Sequence, residues 1–388
     1  MHPALQGGPV YLDHNATTPI DPAVTEAMLP YLTSGFGNPG SEHHYGAGPR
    51  AALAEARAQV AALVGGSGRQ VVFTGSGSEA DNLAIRGAAL AAPPDRGHLV
   101  TQATEHPAVL ETCRAMRRLH GVRLTVLPVD RDGLVDPAEL AVAVGDDTAL
   151  VSVMAANNET GAIQPIAELA AIAHRHGALF HCDAAQAVGK IPIDVVASGV
   201  DLLTVVGHKM YAPKGVSALV IKPGTALEPL VYGGGQEGGL RAGTENVALA
   251  VALGEAARLA AAALAAGEPD RIRELRDRLH AGLEQALPGR VLLNGPVEPR
   301  LPNTLNVSVL GTAGHALLAS VPELAASTGS ACHSGSHEPS PVLTAMGYDA
   351  DHGMSALRLS LGRWSTADDV DRAVEAIAAA CRSVSGHR

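Results

Sequence analysis

The chain has 388 residues with 46% hydrophobic content, enough for a substantial core in roughly two domains of about 150 residues each. Its net charge of −11, without a basic cluster, argues against nucleic acid as the primary partner. Residues 1–8 show neither a basic region nor an apolar run of the secretory kind, and Cys113, Cys182, Cys332 and Cys381 form no CxxC pair, so a reducing, cytoplasmic setting is expected.

Along the chain, short β-branched runs alternate with longer segments of helical period. Strands are expected at 71–73, 99–101, 123–127, 150–154, 179–181, 202–206 and 218–221. Helices are expected between several of them, including 107–119 and 165–176, the latter stopped by Gly177. Such alternation predicts an α/β fold with a mostly parallel, helix-covered sheet. The alanine-rich segment 247–267 contains Glu255 and Arg258 and reads as a packed helix, not a membrane span. After about residue 258 the pattern changes to a charged helix at 271–287, a strand at 305–309 and a loop rich in Gly and Ser. A large domain over 16–258 and a smaller α+β domain from 1–15 and 259–388 are therefore expected.

Four places in the large domain carry chemistry. Thr74, Gly75, Ser76, Gly77, Ser78 and Glu79 lie between a strand and a helix expected to begin near Ala80, where small residues and helical N–H groups suit an anion. A plain capped turn would use the same residues, and neither GxGxxG nor GxxxxGK[ST] is matched. His106 follows a second strand; it is either a cap or a flat partner for a ring. Asp183 ends a third strand among apolar neighbours, which is costly unless it caps a turn or meets a cation such as a pyridinium nitrogen, and Gln186 can reach the same ligand. Lys209 follows a fourth strand. Only four lysines (Lys190, Lys209, Lys214, Lys222) stand against 24 arginines, so a retained lysine is needed for an amine that can lose its proton and form a Schiff base. An anion cradle, an imidazole, an acid and an amine after strands of one sheet describe a pyridoxal 5′-phosphate (PLP) pocket.

With 11–19, 37–41, 157–159, 207–215, 240–246 and 358–363, these residues make nearly the whole chain similar to the class V aminotransferase family, and more narrowly to its cysteine desulfurases. The resemblance implies PLP fold type I: a large domain with a mostly parallel seven-stranded sheet, and a small domain whose loop at about 325–340 carries Cys332. It implies PLP on Lys209, with Asp183 at the pyridine nitrogen, Gln186 at the phenolic oxygen and His106 on the ring. Phosphate contacts would come from Gly77, Ser78 and His208, with Thr244 from the second subunit of a homodimer. Arg358 and Asn158 would hold the carboxylate of L-cysteine. Cys332, within 327–335, would take the sulfur as a persulfide, helped by His333, His337 or His106, and pass it to an iron-sulfur scaffold or a sulfur carrier. One departure is Val206, where relatives commonly place a phosphate-binding Ser.

Other readings stay open at this point. A selenocysteine or cystine lyase would not need Cys332, an ordinary aminotransferase would need an amino acceptor, and a PLP-fold scaffold would have no use for all four site groups. Cys113, Cys182 and Cys381 read as inert thiols within helices or strands, and Cys332, His333 and His337 lack zinc-ligand spacing, so no metal is expected.

Overall fold

The computed structural model describes residues 2–66, 71–328 and 338–385. Its strands are β1 (Val10–Tyr11), β2 (Val71–Thr74), β3 (His98–Gln102), β4 (Arg123–Leu127), β5 (Thr148–Ser152), β6 (Leu179–Asp183), β7 (Leu202–Val206), β8 (Ser217–Ile221), β9 (Val291–Leu293), β10 (Thr304–Val309), β11 (Leu324–Ala325) and β12 (Ala356–Ser360). Seven of them form one sheet in the order β2-β8-β7-β6-β5-β3-β4, in which only β8 runs against its neighbours.

Adjacent residues of these strands divide between two apolar layers. Leu99, Leu150, Leu202 and Leu219 pack with Leu83, Ile85, Val109 and Met116 of helices Gly77–Ala91 and Pro107–His120. Val100, Val151, Leu203 and Val220 pack on the opposite side with residues of helices His44–Leu63, Ile166–Arg175 and Val247–Ala265. Two covered faces explain why these strands read as continuous apolar runs and not as alternating ones. Each such Leu or Val contributes about 1.5–3 kcal/mol by its burial. Helix Val247–Ala265 is apolar and long enough to cross a membrane by composition, yet it lies in this core; a Cβ on Gly254 would come 2.7 Å from Ala56 Cα, so the glycine permits the close approach of two helices.

A separate apolar cluster lies around the antiparallel sheet β12-β10-β9. Leu279 and Leu283 of helix Glu268–Ala286 and Ile377 of helix Ala367–Ser385 pack there against Leu305, Leu357 and Leu359. Val10 and Leu12 join them, because β1 pairs in parallel with β11.

The expected strand at 150–154 is shifted: β5 begins at Thr148, a buried polar residue that apolar patterning passes over. Past Ser152 the chain keeps contact with β6 through Val153 N to His181 O (3.1 Å) and Ala155 N to Asp183 O (2.8 Å), and then turns into the site. Because β2, β3, β5, β6 and β7 point the same way, the segments following them gather at one edge of the sheet, where ligands bind in open α/β folds.

Candidate active site

At that edge lies a cavity of about 520 Å³, lined by Gly77, Ser78, His106, Asn158, Asp183, Gln186, His208, Lys209 and Arg358. Its size falls within the range usual for small-molecule sites, about 300–1,000 Å³. Two candidates are not among its lining. Thr244 is exposed on the surface of its own chain, and Cys332, like His333 and His337, lies outside the described residues.

One end of the cavity suits an anion. The helix starts at Gly77, three residues before the position expected from sequence, because Ser76 caps it, its Oγ accepting from Glu79 N at 3.1 Å. Neither Gly77 N–H nor Ser78 N–H has an acceptor within the helix, so both remain for a ligand. A Cβ on Gly77 would sit 2.6 Å from Cγ2 of Val206, so that position must stay glycine beside this valine. Glu79 is held away by Arg241 Nε (2.9 Å) and Gly75 N (2.9 Å). Burial, reinforced by the charges of Lys209, Lys214 and Lys190, pushes the pKa of His208 down to about 4, so its imidazole is neutral.

The amine and the acid lie further in. Lys209 Nζ donates to the backbone oxygens of Asn15 (2.6 Å) and Ala16 (2.8 Å). Burial, and then the Arg358 charge, lowers its pKa to about 8, against the opposing pull of Asp183 and Asp13. Lys209 is therefore expected to condense with a small aldehyde in the presence of a mild hydride reductant at a rate that climbs with pH and levels off above about 8. Peptide mapping of the alkylated protein checks this; a rate still climbing two units higher, as for an ordinary lysine near 10.4, would contradict it.

Asp183 is buried, its Oδ1 accepting from Ala185 N at 2.9 Å, so the turn-capping role and a place in the cavity coincide. Burial raises its pKa, against the charges of His106 and Lys209. Asp81, 2% exposed, also lines the cavity; burial and then Asp183 raise its pKa, and its Oδ1, 3.7 Å from His181 Nε2, has no hydrogen-bond partner among the described residues. A cation entering beside Asp183 would relieve this pair.

His106 shows the same double use. Its Nδ1 accepts from Ala108 N (3.1 Å) and caps helix Pro107–His120, which leaves the proton of the neutral ring on Nε2. Its ring opens into the cavity, whose walls lower its pKa by burial. Arg358, which lines the cavity, donates from Nη2 to Asp13 Oδ1 (2.8 Å), while its buried Nε has no hydrogen-bond partner among the described residues.

Sequence reasoning missed Asn15, which ties these groups together. Its Nδ2 donates to Asn158 O (3.1 Å) and Thr304 Oγ1 (2.8 Å), and its Oδ1 accepts from Asn303 Nδ2 (2.9 Å) and Lys190 Nζ (3.2 Å). Its backbone oxygen accepts from Gln186 Nε2 (3.0 Å) as well as from Lys209. Glu159 was also passed over: burial raises its pKa to about 7, and Ser340 Oγ donates to its Oε2 at 2.5 Å. Cys113, Cys182 and Cys381 are buried, and burial pushes their thiols up, that of Cys113 to about 12.

An amine partly unprotonated near neutral pH, facing a buried acid and a helix N-terminus, can capture a carbonyl ligand that carries both an anion and a basic ring nitrogen. The model of the family described as Aminotransferase class-V matches residues 10–373. The chain is 48% identical over 369 residues to the cysteine desulfurase IscS of Anaeromyxobacter dehalogenans strain 2CP-C, covering 94% of this chain and 91% of that protein. Among solved structures, a NifS-like protein superposes with a TM-score of 0.90 at 34% identity, covering 97% of this chain and all of that one (100%). SspA in complex with cysteine superposes with a TM-score of 0.79 at 32% identity, covering 92% and 99% of the two chains. These likenesses bear out the expected fold class.

Proposed function

The chain belongs to the class-V aminotransferase family, and on that footing we propose that it is a cysteine desulfurase that uses PLP to convert L-cysteine to L-alanine and passes the sulfur to Cys332. The observation that carries this reading is Lys209, an amine with a pKa of about 8 in the same cavity as the buried carboxyl of Asp183. The residues fit the cofactor: the free N–H groups of Gly77 and Ser78 suit its phosphate, and the strained pair Asp81 and Asp183 suits a cationic ring nitrogen. When bound, PLP supplies an aldehyde for an amine and an electron-accepting ring.

In this reading Asp183 would hold a proton on the ring nitrogen, Gln186 would donate to the phenolic oxygen and His106 would face the ring. His208 would add a phosphate contact, as would Thr244 of a second subunit in a homodimer. Val206 offers no hydroxyl, and one hydrogen bond fewer to the phosphate weakens binding by about 0.5–1.5 kcal/mol. Arg358 and Asn158, which both line the cavity, would orient the substrate carboxylate. Lys209 takes up and returns the substrate Cα proton. The balance is L-cysteine plus the Cys332 thiol giving L-alanine plus the Cys332 persulfide, from which an iron-sulfur scaffold or a sulfur carrier in the cytoplasm takes the sulfur. The role of Cys332 is supported by the neighbouring chain: Ser327 pairs with Arg358 in both directions (N to O 3.3 and 2.6 Å). Cys332 follows Ser327 by five residues in the sequence.

Supplied with PLP, L-cysteine and a reducing thiol, the protein is expected to release alanine and sulfide in equal amounts. Alanine formation that requires an added 2-oxo acid, without sulfide, would make it an ordinary aminotransferase instead.

A further inference from the structure

Lys190 is one of only four lysines, and the proposed chemistry does not use it. It follows Gln186 by four residues, and its Nζ donates to Gln186 Oε1 at 2.6 Å and to Asn15 Oδ1 at 3.2 Å. Gln186 Nε2 donates in turn to the backbone oxygen of Asn15 at 3.0 Å. These contacts leave the amide of Gln186 a single orientation. Turned over, it would set its oxygen against the Asn15 carbonyl, a repulsion, and its NH2 group against the Lys190 amine, a second repulsion whenever that amine is protonated. Held as it is, Gln186 has one donor left to offer the cavity it lines, the second N–H of Nε2.

The residue type fits this task. Two acceptors meet at Nζ, which an amine satisfies, whereas a guanidinium would bring five N–H groups into the same buried space. Burial and the charges of Lys209 and Arg358 depress the Lys190 pKa well below its ordinary value, and the amine donates in either protonation state.

We propose that Lys190 is a positioning residue: by occupying Oε1 of Gln186 it fixes that glutamine as a hydrogen-bond donor to an anionic oxygen of the cavity ligand, the phenolic oxygen of the pyridoxal ring. The inference rests on the PLP reading of the cavity. Without Lys190 only the Asn15 oxygen still favours this orientation, so the amide turns over more readily, its carbonyl faces that oxygen part of the time, and the protonated form of the bound chromophore gains.

The test is a pH titration of the visible absorbance of the PLP-loaded protein, in wild type, Lys190→Met, Lys190→Gln, Gln186→Leu and the Lys190→Met/Gln186→Leu double variant. Lys190→Met is expected to raise the midpoint by about one unit, a tenfold change in proton affinity. Lys190→Gln keeps an N–H donor for Oε1 and should shift it less. In the Gln186→Leu background the effect of Lys190→Met should largely vanish, since no amide remains to be oriented. A wild-type midpoint in both Lys190 variants overturns the proposal, as does a shift that persists undiminished without Gln186. Should Lys190→Met fail to fold or to load, Lys190→Ala, which also leaves Oε1 without a donor, decides in its place: a raised midpoint sustains the proposal and a wild-type midpoint overturns it. A wild type that develops no visible band with PLP defeats the cofactor reading itself, and this proposal with it.

Discussion

Replacing Lys209 by alanine is expected to abolish alanine formation from L-cysteine, with a loss of at least 10²–10⁴-fold, roughly the contribution of a positioned acid-base group. The same variant should lose the visible band of the PLP-loaded protein, since no other amine takes the place of Nζ. Lys209→Arg should be as inactive, because a guanidinium keeps its proton at any working pH. Neither loss should come from unfolding. Lys209 Nζ donates to two backbone oxygens, of which Asn15 O retains Gln186 Nε2 and only Ala16 O loses this donor. One orphaned carbonyl costs about 1–3 kcal/mol, and removing a cation depressed by burial and by Arg358 recovers part of that. Thermal melting together with alanine release separates the two effects. A Lys209→Ala protein that keeps more than a tenth of the wild-type rate would remove Lys209 from the chemistry.

Cys332→Ala should behave differently. The visible band and its pH dependence should survive, because the groups that bind the cofactor are untouched. Alanine and sulfide release should fall by roughly 10³-fold or more, the scale on which loss of a nucleophile acts. The contrast with the other thiols makes the prediction specific. Burial pushes Cys113 up to about 12 and Cys182 well above the ordinary thiol range, so neither forms a thiolate at neutral pH. Cys113→Ala is therefore expected to keep full turnover at a stability cost of about 1 kcal/mol. Alanine production by Cys332→Ala at the wild-type rate would point to a selenocysteine or cystine lyase, in which substrate sulfur leaves without an enzyme thiol.

The central strands of the main sheet were legible because both its faces are covered there, so they appear as short, mostly apolar runs, while the edge strand Arg123–Leu127 is partly exposed. Lys209, Asp183, Gln186 and His106 could be singled out for a related reason: each follows such a run, and parallel strands deliver their ends to one edge. The local readings that competed with function turned out to hold beside it. Ser76 and His106 cap helices, and Asp183 caps a turn, while His106, Asp183 and Ser76 also line the cavity. What stayed hidden depends on partners far away in the chain. Asn15 joins residues 143 and 289 positions distant, which no local pattern announces. Asp81 reads as an ordinary helical acid until helix Gly77–Ala91 turns it toward Asp183. Helices Pro22–Thr33 and His44–Leu63 were passed over, each carrying an internal proline, Pro30 and Pro49, that reads as a breaker. Lys190 did leave a trace in the sequence. The scarcity of lysine that drew attention to Lys209 applied to it equally, but only the fold sets its amine against Gln186 and Asn15.

Passage of the substrate's sulfur onto Cys332 is tested most directly by one turnover without a reducing thiol, followed by mass spectrometry of the cysteine-containing peptides. The account predicts one alanine per subunit, a Cys332 peptide heavier by a single sulfur atom, and unchanged peptides for Cys113, Cys182 and Cys381. Alanine formed with an unmodified Cys332 and sulfide free in solution would contradict it.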